Sequence, residues 1–254
     1  MPFSREQLDE IEREYVTIAQ KHLELMSGYL NRIYCNPRAR EYATHGFMRR
    51  VKTLTRCIQN VFEILPPDRV TIPTTEELSD SAINIQAFVF NVFGCADNLA
   101  WIYVFEKGVL NTNGSELRPN QVGLRVGNAR VRESFSPEFR NYLAGLDAWF
   151  EYQENFRHAL AHRIPLYIPP YVVHPDNEAA YQSLEERMTS ALNLRDVPEY
   201  DRLSAEQEGL GVFSPRMTHS FAEARGTIMF HSQLIADFNT IDELGRMMLQ
   251  ELVR

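Results

Sequence analysis

Apolar residues recur every three or four positions through most of this chain, the period of an α-helix with one buried face. Leu8, Ile11, Tyr15, Ile18, Ala19, Leu23, Met26 and Leu30 form the first such run, opened by Ser4 and Gln7 in a capping-box spacing. Asn36-Pro37 supplies the next cap and first-turn proline, for a helix expected to run to about Ile64 before Pro66-Pro67 stops it. Thr74 with Glu77 opens a third helix, to Lys107, where Gly108 supplies the C-terminal stop. Residues Asn111 to Ser136 lose the period and are rich in Gly, Asn and Arg, with room for short strands such as Gln121 to Val126. Ser136-Pro137-Glu138 restarts a helix carrying Phe139, Leu143, Leu146, Phe150, Phe156 and Leu160, which Pro165 ends.

Leu166 to Val173, crowded with proline and β-branched or aromatic residues, reads as extended. A helix over Glu178 to Leu192 follows, then weak patterning to Phe213. Ser214-Pro215 reads as the start of a last helical region to Arg254, divided near Asn239-Thr240 by a further Thr240/Glu243 capping box. The expected fold is therefore all-α: a bundle of long antiparallel helices with an irregular Arg/Gly/Asn-rich insertion and space for a minor β-hairpin. A single domain spans 1–254, comprising an N-terminal helical hairpin (1–70), a core (74–173) and C-terminal helices (174–254).

Composition narrows the setting. At 254 residues, 44% hydrophobic and 24% charged, the chain can bury a substantial core. Three cysteines, Cys35, Cys57 and Cys95, lie in segments read as helical, at no metal-ligand spacing, and suit buried thiols in a reducing compartment. The first residues lack the apolar core of a signal peptide, and the apolar run Ile83 to Phe105 is interrupted by Asn84, Gln86, Asn91, Asp97 and Asn98. A cytoplasmic protein with no membrane association is the expectation. The formal charge of −8 argues against nonspecific coating of nucleic acid. Two local basic clusters stand out: Arg118, Arg125, Arg130 and Arg132, and Arg49, Arg50, Lys52 and Arg56. Each reads either as a solvated face paired to acidic neighbours or as a contact for phosphates.

The stretch Asn155-Phe156-Arg157-His158-Ala159-Leu160-Ala161-His162-Arg163-Ile164-Pro165 concentrates the candidate chemistry. His158 and His162, four apart, share a helix face, and Pro165 places them near the helix end. Three readings fit these residues. The imidazoles could ligate a metal, although no glutamate occupies the HExxH position and no third ligand is evident. They could be structural, with Arg157 pairing to Asp147 or Glu151. Or an imidazole and a guanidinium could cleave a phosphodiester, the histidine deprotonating a ribose 2′-hydroxyl and the arginine stabilising charge on phosphorus.

Arg157, four intervening residues and His162 resemble the R-x(4–6)-H motif of HEPN domains. The longer string RHALAHRIPLYIPPY, with Asp97-Asn98-Leu99-Ala100-Trp101 and His219-Ser220, resembles the bacterial HEPN-like subgroup related to a Clostridium thermocellum prototype. The resemblance implies an all-helical homodimer whose motifs meet in a cleft. It also implies a metal-independent ribonuclease of a defence or toxin–antitoxin system, with an antitoxin or defence-system partner and no cofactor. The alternative it leaves is a noncatalytic scaffold. It assigns Arg157, His162 and His158 to catalysis and Asp97 and Asn98 to support, with Arg118, Arg125, Arg130, Arg132 and Arg163 as RNA contacts. His162 takes the base position; His158, directly after the arginine, is the competing imidazole.

Overall fold

The computed structural model describes residues 3–218 and 228–254; His219 and Ser220 lie outside the described residues. The fold is mostly helical. Helix α1 (Arg5–Leu30) is capped by Ser4 and Gln7, whose side chains exchange hydrogen bonds with each other's backbone N–H groups. A short helix α2 (Pro37–Glu41) runs through a π-helical turn (Tyr42–Phe47) into α3 (Met48–Ile64). The π turn lies within the span expected as one regular helix. It coincides with a close approach, since a Cβ on Gly46 would sit 3.0 Å from the Asn98 side chain.

Helix α4 (Thr75–Lys107) is the centre of the bundle. Its Thr74/Glu77 capping box is formed, and Gly108 ends it in the left-handed conformation that glycine adopts without steric cost. α2, α3 and two later helices, α7 (Asp147–His162) and α10 (Phe230–Val253), pack around it. Ile85, Phe88, Val92, Leu99 and Ile102 are fully buried there, each burial contributing about 1.5–3 kcal/mol. By length and composition α4 is also the one helix among the described residues that could cross a membrane; just over half of its most apolar window is covered by the bundle.

The segment after α4 forms a 3-10 turn (Pro119–Gln121) and a short α5 (Ala129–Arg132), and no strand forms over Gln121 to Val126. The expected long helix from Ser136 is two: α6 (Pro137–Gly145) and α7 (Asp147–His162), separated at Leu146 (φ −95°, ψ 0°). Gly145 is the weak point of that run. Beyond α7 the chain is extended as expected. Tyr167 bridges Thr218, and β1 (Val172–Val173) pairs antiparallel with β2 (Gly211–Val212).

Between those strands, α8 (Glu178–Leu194) and α9 (Val197–Glu208) pair around a small core of their own: Leu184, Met188, Ala191 and Leu203. Ser214-Pro215 leads into β3 (Arg216–Met217), paired with β4 (Ile228–Met229), rather than into helix. The last helix, α10 (Phe230–Val253), is unbroken at Thr240. Its hydroxyl donates to the Ala236 carbonyl one turn back, so the residue serves the helix interior instead of capping a new one. Cys57 and Cys95 are buried, and burial pushes the Cys57 thiol up to about 11. Cys35 is exposed in the link between α1 and α2, outside any helix.

Candidate active site at the end of α7

Helix α7 turns Phe150, Gln153, Phe156 and Ala159 into the core. The opposite face therefore carries His158 and His162 outward, both exposed, with ring centroids 6.3 Å apart. His162 is the last residue of the helix, and Arg163 follows in a non-helical conformation. The Arg163 guanidinium folds back to donate to the Asn155 carbonyl at 3.1 Å.

Arg157 takes a third direction, toward α4. Its guanidinium lies 4.7 Å from the centre of the Phe93 ring. Arg125, from the irregular segment, approaches the same ring at 5.4 Å. The aromatic face attracts both cations and sets the position of each. One turn along α4 is Asp97, half-buried. Burial raises its carboxyl above the ordinary range; Arg125, Arg157, then Arg50 oppose that shift, and Glu154 adds to it. Neither Asp147 nor Glu151 is the ion-pair partner of Arg157: Asp147 pairs with Arg132 at 2.6 Å, and no carboxylate among the described residues lies at salt-bridge distance from Arg157.

Glu154 joins the two halves of the site. It ion-pairs with Arg125, and its carboxylate stands 3.9 Å from His158 Nε2 one helical turn on. A surface groove of about 560 Å³ runs beside it, lined by Asn120, Arg125, Asn128, Asp147, Glu151 and Glu154 among others. The groove walls are thus both basic and acidic.

The other candidates are distributed differently. Asn98 faces α3, where it accepts from Arg50 Nε at 3.0 Å; Asn91, two turns earlier, accepts from the same guanidinium at 3.1 Å. Asn98 therefore supports Arg50 and not the α7 residues. Arg130 donates to the Leu110 carbonyl. Arg118 is exposed. Arg132, on α5, is held to Asp147 at the start of α7, ten residues and so about 15 Å of helix before Arg157. No group of three or more His, Cys, Asp or Glu among the described residues is arranged to hold a metal ion.

Phe93 and Glu154 went unnoticed in the sequence, yet both carry a local signal: each stands four residues before a chosen candidate, Asp97 and His158. No protein-family model matches this chain, and no curated protein or solved structure matches it.

Proposed function

We propose that the chain is a metal-independent endoribonuclease, acting as a homodimer in a defence or toxin–antitoxin setting. The observation that supports this reading best is the pair of exposed imidazoles at the end of α7, His158 and His162, beside an arginine whose guanidinium is fixed on Phe93. In the proposed reaction His162 removes the proton from a ribose 2′-hydroxyl, and the 2′-oxygen attacks the adjacent phosphorus. His158 protonates the departing 5′-oxygen as the P–O5′ bond breaks. Arg157 stabilises the charge that accumulates on the phosphoryl oxygens in the transition state. The products are a 2′,3′-cyclic phosphate and a 5′-hydroxyl, with no net uptake or release of protons. The Glu154 carboxylate orients the His158 ring.

The test is cleavage of a labelled single-stranded RNA by the purified chain in EDTA, with end-group analysis. Arg157→Ala and His162→Ala are expected to slow cleavage by about 10²–10⁴-fold, the usual cost of removing an acid–base or charge-stabilising group. Equal rates in parent and variants would overturn the proposal. A second reading, a noncatalytic helical scaffold, is favoured by the pairing of Arg125 with Glu154 and of Arg132 with Asp147, which neutralises two of the arginines wanted for RNA. Absence of cleavage, with the two substitutions affecting only the melting temperature, would establish that reading instead.

A further inference from the structure

Helix α1 carries two apolar rows. Ile11, Ile18, Leu25 and Tyr29 are buried in the bundle. The second row, exposed Val16, Ala19, Leu23 and Leu30 with the half-buried Met26 at its inner edge against the core, follows the 3-4-3-4 spacing of coiled-coil a and d positions, and no helix among the described residues covers its exposed members. Val16 is 65% exposed, Leu23 54% and Leu30 53%, and Ile33, just past the helix end, is 90% exposed. Single exposed leucines are ordinary on a protein surface; a heptad row of them is not.

Alongside runs a row of opposite character. His45, Arg49, Lys52 and Arg56 recur at spacings of four, three and four, and so share the outer face of the π turn and α3. Arg49, Lys52 and Arg56 are exposed, and none has a carboxylate at salt-bridge distance among the described residues. Arg49 instead donates to His45 Nδ1 at 3.1 Å. The two rows adjoin, since α1 packs on α3 with Tyr15 stacked on Phe62. The Lys52 charge also reaches His22, which directly precedes Leu23. The seam's own flanking positions, Tyr15, Gln20, His22 and Ser27, include no acid.

We infer that the α1–α3 face docks an amphipathic helix of a protein partner, with apolar a and d residues and an acidic flank. The apolar row takes the partner's seam and the cationic row takes its carboxylates, which specify orientation more than they add affinity. A single-stranded RNA would use the cations but not a row of valine, leucine and methionine, which offers no ring for a base to stack on. A second copy of α1 would fill the seam with Leu23 against Leu23 but would leave the α3 cations facing Gln20 and Ser27, uncompensated.

Two labelled three-heptad peptides, both with leucine at a and d, one with glutamate and the other with lysine at e and g, would test this by fluorescence anisotropy with the full chain. Peptide is kept below its own self-association. The glutamate peptide is expected to bind at least about tenfold more tightly than the lysine peptide, and Leu23→Asp to weaken it by about tenfold or more. Arg49→Glu/Lys52→Glu/Arg56→Glu should reverse the preference. All four positions are exposed, so melting temperatures should hold, and Arg157→Ala should leave peptide binding unchanged whatever it does to cleavage. Equal binding of both peptides, or no effect of Leu23→Asp, overturns the inference. So does an oligouridylate whose binding falls with the charge reversals but not with Leu23→Asp, or a dimer in sedimentation that Leu23→Asp dissociates.

Discussion

Two buried ionisable groups on α10 should oppose each other across mildly acidic pH, and one substitution should reveal it. His231 is fully buried against Phe3, Phe62 and Phe230, with Nε2–H donating to the Leu65 carbonyl at 2.6 Å. Burial pushes its pKa down from 6.5 to about 4. Asp237, 3% exposed, accepts from Trp149 Nε1 at 2.8 Å and from Gln233 at 2.9 Å. Burial pushes its pKa up from 3.8 to about 6.

The signs are opposite. Between pH 6.5 and 4 the unfolded chain binds the His231 proton more readily, so the stability gained from a neutral buried imidazole is lost as pH falls. Between pH 6 and 3.8 the folded chain binds the Asp237 proton more readily, so stability is recovered as pH falls and lost as pH rises through 6. At about 1.4 kcal/mol per pKa unit, going from pH 7 to pH 5 costs on the order of 2 kcal/mol through His231 and returns on the order of 1 kcal/mol through Asp237. The two contributions therefore largely cancel over that range.

Asp237→Asn keeps an acceptor for Trp149 and removes the titration. The buried Gln153 amide lies beside Asp237, and turning its oxygen toward residue 237 offers an acceptor for the new N–H₂. Urea unfolding at pH 7 and pH 5, followed by circular dichroism, should show the variant losing about 1 kcal/mol more than the parent. Because every other titrating group, His231 included, is common to both proteins, the difference of differences isolates Asp237. Parallel pH profiles would refute the assignment of an elevated Asp237, and a parent falling as steeply as the variant would do the same.

Two further outcomes follow from α4. At Gly94 a Cβ would sit 2.5 Å from the Arg50 guanidinium carbon, so Gly94→Ala should displace Arg50 from Asn91 and Asn98. The lost charged hydrogen bonds outweigh the better helix propensity of alanine, for a net cost of about 1–2 kcal/mol in chemical denaturation; Gly127→Ala, where the space is open, should cost nothing measurable. Phe93→Ala removes the platform shared by Arg157 and Arg125 and should lower RNA cleavage about tenfold, whereas Phe93→Tyr, which keeps the ring, should retain it. Equal rates for the two variants would mean that the ring does not position Arg157.

Where a helix boundary depends on neighbouring residues alone, it was legible. The Ser4/Gln7 and Thr74/Glu77 boxes, the Gly108 stop and the Ser136-Pro137 start all form as spaced. The same logic misplaces Thr240/Glu243, because that spacing also occurs inside a helix whose N-cap lies elsewhere; only burial of Phe238, Ile241 and Leu244 on one continuous face distinguishes the cases. At α9 the converse holds. Asp196 caps, Pro198 follows in the first turn and Glu199 donates its N–H to Asp196, but the helix buries only Leu203 and Gln207, too few apolar positions to show a period.

The site divides along the same line. Two imidazoles four apart must share a helix face, so the placement of His158 and His162 follows from local spacing. The direction of Arg157 does not, because it depends on which helix lies beside α7 and on what that helix offers at the contact. α4 offers Phe93 and, one turn on, Asp97, and these divide the motif: the arginine is held against the bundle while the histidines face solvent. Within one chain, therefore, the guanidinium and the imidazoles leave α7 in different directions. A substrate phosphate that engages all three has to enter at the edge between α4 and the end of α7. That geometry makes Phe93 and Glu154, neither part of the motif, the residues whose substitution should most directly distinguish a working site from an ornamental one.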